Sequence, residues 1–272
     1  MAEFMCDGKR VYYETYGQGE PLLLLNGIMM SCNSWKEFIE PLSQQNLLIL
    51  VDMFDQGKSA KLEGSYDHFV QIELVNALLE HLDLKSVCMA GISYGSEIAL
   101  EYAILYPEKV KRLMLFNATA ATGFWLNDVG RAWNLAAGDP LRYYYTAIPV
   151  VYSPDFYKSH SEWMENRRRL LTNGAFANRE FMDAMIRLTD SSSSYDVRER
   201  LGEILCPTLI VSCGQDYLTP VAEQKYLAEH IKNSHYLVFE NCGHASMYEQ
   251  PLLFASLILG FTNIIKDVYS VT

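Results

Sequence analysis

The chain has 272 residues, half of them apolar, and a formal charge of -11 from 22 Lys plus Arg against 33 Asp plus Glu. That length buries a sizeable core, as one domain with an insertion or as two domains. The acidic balance disfavours nucleic acid and anionic membranes as partners.

In chain order, "MAEFMCDGKR" lacks the apolar stretch of a secretory signal, and no apolar run approaches membrane-spanning length, so a soluble cytoplasmic protein is expected. "KRVYYETYGQGEP" alternates and then turns, which predicts an antiparallel edge of a sheet. Four short apolar runs follow: "PLLLLNG" (21–27), "LLILVDM" (47–53), "SVCMAGI" (86–92) and "RLMLFNA" (112–118). They are too short for helices and end near glycine or polar residues, as buried parallel strands do. Between them, "DHFVQIELVNALLEHLDL" and "GSEIALEYAILYPEKV" repeat apolar residues at helical spacing, the second closed by Pro107. Strand and helix in alternation predict an α/β fold: a mostly parallel central sheet with helices on both faces.

From residue 119 to residue 200 the strand-like runs stop. Aromatic residues are spread through helix-compatible sequence, which predicts an inserted helical lid, with 1–118 and 201–272 forming the core. Serines 191–194 are expected to be a polar loop at its end. "PTLIVSCG" (207–214) and "HYLVFENCG" (235–243) restore the strand pattern, with helices at about 220–231 and 249–266. Thr219 is expected to cap the first of these, with Pro220 in its first turn. The six cysteines, Cys6, Cys32, Cys88, Cys206, Cys213 and Cys242, show no CxxC pair and no zinc-like spacing, so they read as reduced thiols; no metal and no cofactor is expected.

The chemistry centres on Gly91-Ile92-Ser93-Tyr94-Gly95, a G-x-S-x-G pattern between an apolar strand and a helix. On these five residues, a nucleophile and an ordinary serine of a helix-initiating turn fit equally well. A hydroxyl reacts at neutral pH only when it is exposed to substrate, near a base and beside donors for the oxyanion. A sharp strand-to-helix turn supplies the exposure and, through the N–H of Tyr94, one donor. Of six histidines, His68, His81, His160, His230 and His235 fall where solvated or capping roles are expected, whereas His244 leaves the carboxyl end of a late strand. Asp216 leaves another strand in the same way and can fix the tautomer of His244. The other position for an acid, after "RLMLFNA", holds Asn117, which carries no charge. Ser93, Asp216, His244 is then the nucleophile, acid, base order of the fold in which this elbow occurs.

On these residues the chain resembles the α/β-hydrolase superfamily over nearly its whole length outside the insertion. "LLLLNGIMMSCNSW" is similar to the family's strand-end HG-x-x-x-S segment with its downstream Trp, "LILVDMFDQGKS" to its D-x-x-G-x-G-x-S loop, and "CGHASMYEQPLLF" to its G-H-x-x-x-x-E-x-P ending. The resemblance implies that the backbone N–H of Ile28 is the second oxyanion donor, opposite Tyr94. Two departures stand out. Asn26 replaces a histidine, and its amide can make the same loop-fixing hydrogen bonds; Phe54 and Asp55 stand where Arg and Gly are common, and Asp55 reads as a surface-loop variation.

The resemblance further implies hydrolysis of a small-molecule substrate: an ester, thioester or lactone opened through an acyl-enzyme on Ser93. Ser93 disfavours epoxide and halide chemistry, for which relatives use aspartate in the elbow, and Tyr94 stands where iminopeptidases commonly carry Trp. Carbon–carbon bond hydrolysis, peptide cleavage and a non-catalytic sensor retain the same three residues and stay open. Met29 and Met30 beside the oxyanion loop, with Trp125 and Trp133 of the insertion, are expected to line an apolar substrate pocket. Arg167, Arg168 and Arg169 are expected to face water.

Overall fold

The computed structural model describes residues 2–264. In chain order its principal elements are β1 (Ala2–Cys6), β2 (Lys9–Tyr16), β3 (Glu20–Leu25), α1 (Ile39–Ser43), β4 (Asn46–Asp52), α2 (Phe69–His81), β5 (Val87–Ile92), α3 (Tyr94–Leu105) and β6 (Val110–Phe116). Helices α4 (Phe124–Ala136), α5 (Pro140–Ala147), α6 (Pro154–Ser159), α7 (Ser161–Asn173) and α8 (Arg179–Ser191) follow. The chain then returns through β7 (Thr208–Cys213), α9 (Val221–His230), β8 (Ser234–Phe239), α10 (Ser246–Glu249) and α11 (Pro251–Thr262).

The strands form one sheet in the order β1-β2-β4-β3-β5-β6-β7-β8, antiparallel at β1–β2 and β2–β4 and parallel elsewhere. Because side chains alternate across a strand, the continuous leucine run of β3 feeds two cores. Leu23 and Leu25 pack with Met89, Val75 and Ile98 under α2 and α3, while Leu22 and Leu24 pack with Cys88, Trp35 and Ile258 under α11. Each such buried leucine contributes about 1.5–3 kcal/mol, which is why the parallel strands need helices on both faces.

Three local expectations are corrected. β2 is not the edge: β1 pairs outside it through a hairpin at Asp7-Gly8, whose φ angles of 49° and 73° are those of a tight primed turn, so this Asp-Gly pair was the available signal. Thr219 does not cap α9, which starts at Val221, because its hydroxyl is taken up by Asp216. The last predicted helix, about 249–266, is α11 from Pro251 to Thr262, preceded by the short α10 over Ser246–Glu249; residues 265 and 266 lie outside the described residues.

Between β6 and β7, α4–α8 have their own core, including Trp133, Tyr143, Tyr152, Phe176 and Met182. Asp139, Ser153 and Asn178 cap α5, α6 and α8 with side-chain oxygens, and Pro140 and Pro154 occupy the first turns that tolerate a missing N–H. The two ends of this segment meet in an antiparallel bridge between Ala121 and Asp196, so it enters and leaves the sheet at one place.

Candidate active site

Ser93 sits between β5 and α3 with φ 54° and ψ -122°, a conformation that costs a non-glycine residue on the order of 1–3 kcal/mol. Two glycines permit the turn. A Cβ on Gly91 would lie 2.3 Å from the carbonyl oxygen of Gly95, and one on Gly95 would lie 2.3 Å from that of Leu25. The turn is fastened where Ser93 N–H donates to the Phe116 carbonyl (2.9 Å) and the Ser96 hydroxyl donates to Gly91 (2.6 Å). Tyr94 opens α3, so its N–H has no acceptor within the helix.

Asp216, after β7, and His244, after β8, meet with Nδ1 and Oδ2 2.7 Å apart, both nearly buried. Asp216 also accepts from the N–H groups of Leu218 (2.8 Å) and Thr219 (3.0 Å) and from Asn117 Nδ2 (2.8 Å), and the Thr219 hydroxyl lies 2.8 Å away. Burial pushes its carboxyl up, but facing His244 and these donors outweigh that and hold it below the ordinary value. Asn117, set aside as uncharged in the sequence, therefore orients the acid from the neighbouring strand end. It does so at φ 54° and also accepts from the Ser246 hydroxyl (3.1 Å).

The loop after β3 carries Ile28. The Gly27 carbonyl accepts from Met30 N–H (3.1 Å) and from Gln56 Nε2 (3.0 Å). Asn26 accepts from Trp35 Nε1 (2.7 Å) and donates to the Val51 carbonyl (2.8 Å) and to Gln56 Oε1 (3.0 Å), the loop-fixing role expected of its amide. Glu249 of the "GHASMYEQP" segment accepts from Gly243 N–H (3.0 Å) and from the N–H and hydroxyl of Ser153 (2.8 and 2.6 Å), joining the His244 loop to the start of α6.

Asp55 is not a surface variation. It is buried at φ 67° and receives a two-pronged bond from Arg187 of α8 (2.6 and 3.0 Å), the Tyr66 hydroxyl (2.8 Å) and Leu62 N–H (3.0 Å). The sequence hid this partnership because its members lie 132 residues apart.

A cavity of about 250 Å³ opens between the strand ends and the insertion, lined by Ser93, His244, Ile28 and Tyr94. Met29, Met30 and Trp133 line it, but Trp125 does not. It lies in the first turn of α4, 58% exposed, and its indole N–H reaches the Tyr217 carbonyl at 2.7 Å, away from the buried Gly130–Trp133–Ala136 face of that helix. The arginine run also divides. Arg168 and Arg169 bind Glu165 and Asn166 of their own helix, whereas Arg167 turns inward, over the rings of Tyr152, Trp163 and Tyr248, and lines the cavity. Consecutive residues point about 100° apart on a helix, so three arginines cannot share one environment.

Ser191 and Ser192 are not merely a polar loop. Ser191 Oγ lies 3.0 Å from the Tyr94 hydroxyl, and Ser192 Oγ lies 2.9 Å from His68 Nε2 and donates to Glu97 (3.1 Å). His68, expected to be solvated or capping, is buried with Nδ1 2.8 Å from Glu101. Glu97, one turn after Ser93 in α3, is buried and lines the cavity. Burial pushes its carboxyl up to about 7, against the pull of His68 and the Ser192 hydroxyl; Glu101, Tyr94 and Tyr195 also surround this cluster. A carboxyl pKa above its ordinary 4.5 means that the unfolded chain ionises first, so stability falls as pH rises from about 4.5 to 7, by about 3 kcal/mol if this group acts alone. Glu97→Gln is expected to flatten this slope and to unfold at a higher temperature than the parent at pH 8. Melting curves from pH 4 to 8 check it, and an unchanged slope in the variant would contradict the assignment.

An eight-stranded, mostly parallel sheet in this strand order, with helices on both faces, defines the α/β-hydrolase fold. A family model described as alpha/beta hydrolase fold matches residues 20–251, and the chain belongs to the alpha/beta-hydrolase family of enzymes. Among solved structures it is similar to MGS-M2, "an alpha/beta hydrolase enzyme from a Medee basin deep-sea metagenome library". The two are 46% identical with a TM-score of 0.97, over 99% of this chain and 100% of the other. Curated relatives include 3-oxoadipate enol-lactonase 2 of Acinetobacter baylyi, 27% identical over 89% of each chain. The proline iminopeptidase of Lactobacillus crispatus is 26% identical, over 89% of this chain and 91% of its own. These names span lactone and peptide bonds, so likeness alone does not choose the bond. Among the described residues, no helix is long and apolar enough to cross a membrane.

Proposed function

We propose that the protein is a serine hydrolase that cleaves small carboxylic esters, or their thioester and lactone counterparts, through an acyl-enzyme on Ser93. The observation that carries this reading is the 2.7 Å contact between Asp216 and His244 beside a cavity that the strained Ser93 also lines. With Nδ1 occupied by Asp216, Nε2 is the ring nitrogen left to take a proton. His244 accepts the Ser93 proton as Oγ attacks the carbonyl, and the N–H groups of Ile28 and Tyr94 receive the oxyanion. The imidazolium then gives its proton to the departing alcohol. A water molecule, deprotonated by the same nitrogen, adds to the acyl-enzyme and releases the acid, restoring Ser93.

The insertion serves as the lid in this reading, and its apolar wall suits a modest acyl group. Met29, Met30, Leu126, Val129 and Trp133 are among the cavity's apolar residues, which favours an apolar or aromatic substrate. A graded panel of p-nitrophenyl esters with thioester and lactone members tests the proposal. Short and medium acyl chains are expected to turn over, with a steep fall once the acyl group outgrows about 250 Å³. Hydrolysis no faster than that by Ser93→Ala, read as nitrophenol, thiol or acid release across the whole panel, would refute it.

A further inference from the structure

Of the buried carboxylates outside the Asp216–His244 pair, Asp55 and Glu97 contrast most. Asp55 is saturated: both oxygens accept from Arg187, and Tyr66 and Leu62 add further donors. Glu97 is not. Its side chain is only 6% exposed, yet it accepts a single hydrogen bond, on Oε2, from Ser192 at 3.1 Å. The nearby imidazole does not satisfy it, since His68 holds Glu101 at 2.8 Å and stands 3.6 Å from Glu97. Oε1 has no hydrogen-bond partner among the described residues, although an ionised carboxylate can accept about four. Oε1 is not among the fully buried atoms that lack a partner, so it is open to the cavity that Glu97 lines, where a ligand can supply the missing donor.

Glu97 also stands in a telling place. It follows Ser93 by four residues, one turn into the helix that Ser93 precedes, and both residues line the same cavity. Other polar groups line the same cavity, among them Thr122, whose buried hydroxyl has no partner, and Asn127, whose amide donates to the Thr122 carbonyl (3.0 Å).

We propose that Glu97 is a substrate-binding residue whose free carboxyl oxygen receives a hydrogen bond from a hydroxyl or ammonium group carried within a few bonds of the scissile carbonyl. The assignment rests on Ser93 being the nucleophile, because that fixes where the carbonyl lies. It makes the preferred substrates hydroxy- or amino-acyl esters rather than plain alkanoates. An apolar isostere entering the cavity leaves Glu97 without a donor, so discrimination comes as much from rejecting the isostere as from holding the donor.

The test compares p-nitrophenyl 3-hydroxybutyrate and 3-aminobutyrate with p-nitrophenyl 3-methylbutyrate, in which a methyl group replaces the donor at nearly the same volume. The parent protein is expected to favour at least one donor ester by about tenfold to a hundredfold in kcat/KM, the range of a hydrogen bond to a charged group. A preference for the amino ester over the hydroxy ester identifies an ammonium ligand, and the reverse a hydroxyl. Glu97→Gln should collapse an amino preference, and Glu97→Leu should collapse either one. The same three esters are also presented to Ser93→Ala, with and without Glu97→Gln, and read as shifts in melting temperature. This arm reports binding even if turnover on Ser93 fails, so the two proposals fall separately. Equal kcat/KM for the three esters, equal melting shifts, or a preference that survives both Glu97 variants would overturn the role of Glu97.

Discussion

Ser93→Ala is expected to lose ester turnover by roughly 10⁵–10⁶-fold and to abolish labelling by an active-site phosphonate, while the protein stays folded. Among the described residues the Ser93 hydroxyl makes no hydrogen bond, and alanine at φ 54° keeps the strain of the parent turn. The melting temperature should therefore hardly move. Ser93→Gly is the informative companion: it is equally inactive but accepts this backbone without penalty, so it should be more stable than Ser93→Ala by about 1 kcal/mol. His244→Ala should match Ser93→Ala in activity, because nucleophile and base act as one unit. Asp216→Asn should cost about 10⁴-fold, by presenting an amide where the imidazole needs an acceptor. Mass spectrometry of phosphonate-treated protein checks the nucleophile directly. A phosphonate adduct persisting in Ser93→Ala would place it elsewhere.

Arg187→Leu is expected to produce the largest loss of stability among changes remote from the reacting atoms. It removes the cation from a carboxylate whose side chain is fully buried and leaves Asp55 charged, with Tyr66 and Leu62 as its remaining donors among the described residues. Breaking one partner of such a pair costs about 3–5 kcal/mol, equivalent to roughly 10 °C in a protein of this size. Asp55→Asn combined with Arg187→Leu should recover part of the loss, since an amide tolerates the positive φ and no buried charge remains. Thermal unfolding of the three variants decides this, and a melting temperature unchanged by Arg187→Leu would show that the ion pair is not needed. Gln56, next to Asp55, braces the loop that carries Ile28, so Arg187→Leu should also depress kcat by loosening that loop.

The two variants probe residues of very different legibility in the sequence. Ser93, Asp216 and His244 could be found because each closes a short apolar run at the carboxyl end of a strand, and the parallel sheet sends those ends to one edge. The sheet itself was readable for the same reason: strands buried on both faces are continuously apolar, and helices between them keep a 3.6-residue period. The Asp7-Gly8 hairpin is legible too, since an Asp-Gly pair suits a two-residue primed turn. Hydrophobic pattern carried less far in the insertion. There it announces helices but not which face of each meets the cavity, so Trp133 and Trp125, eight residues apart, part company.

Composition and periodicity thus determined the α/β architecture and the helical character of the insertion, because these depend on local apolar spacing; the G-x-S-x-G motif and the residue types at two later strand ends singled out Ser93, Asp216 and His244 as candidates. Only the tertiary structure decided the pairing of Asp55 with Arg187, the inward turn of Arg167, the support that Asn117 lends to Asp216, and the unsatisfied carboxylate of Glu97. Each of these is a polar side chain whose meaning lies in what surrounds it once water is removed. Burial and partnership over a hundred residues of chain leave no periodic trace in a sequence.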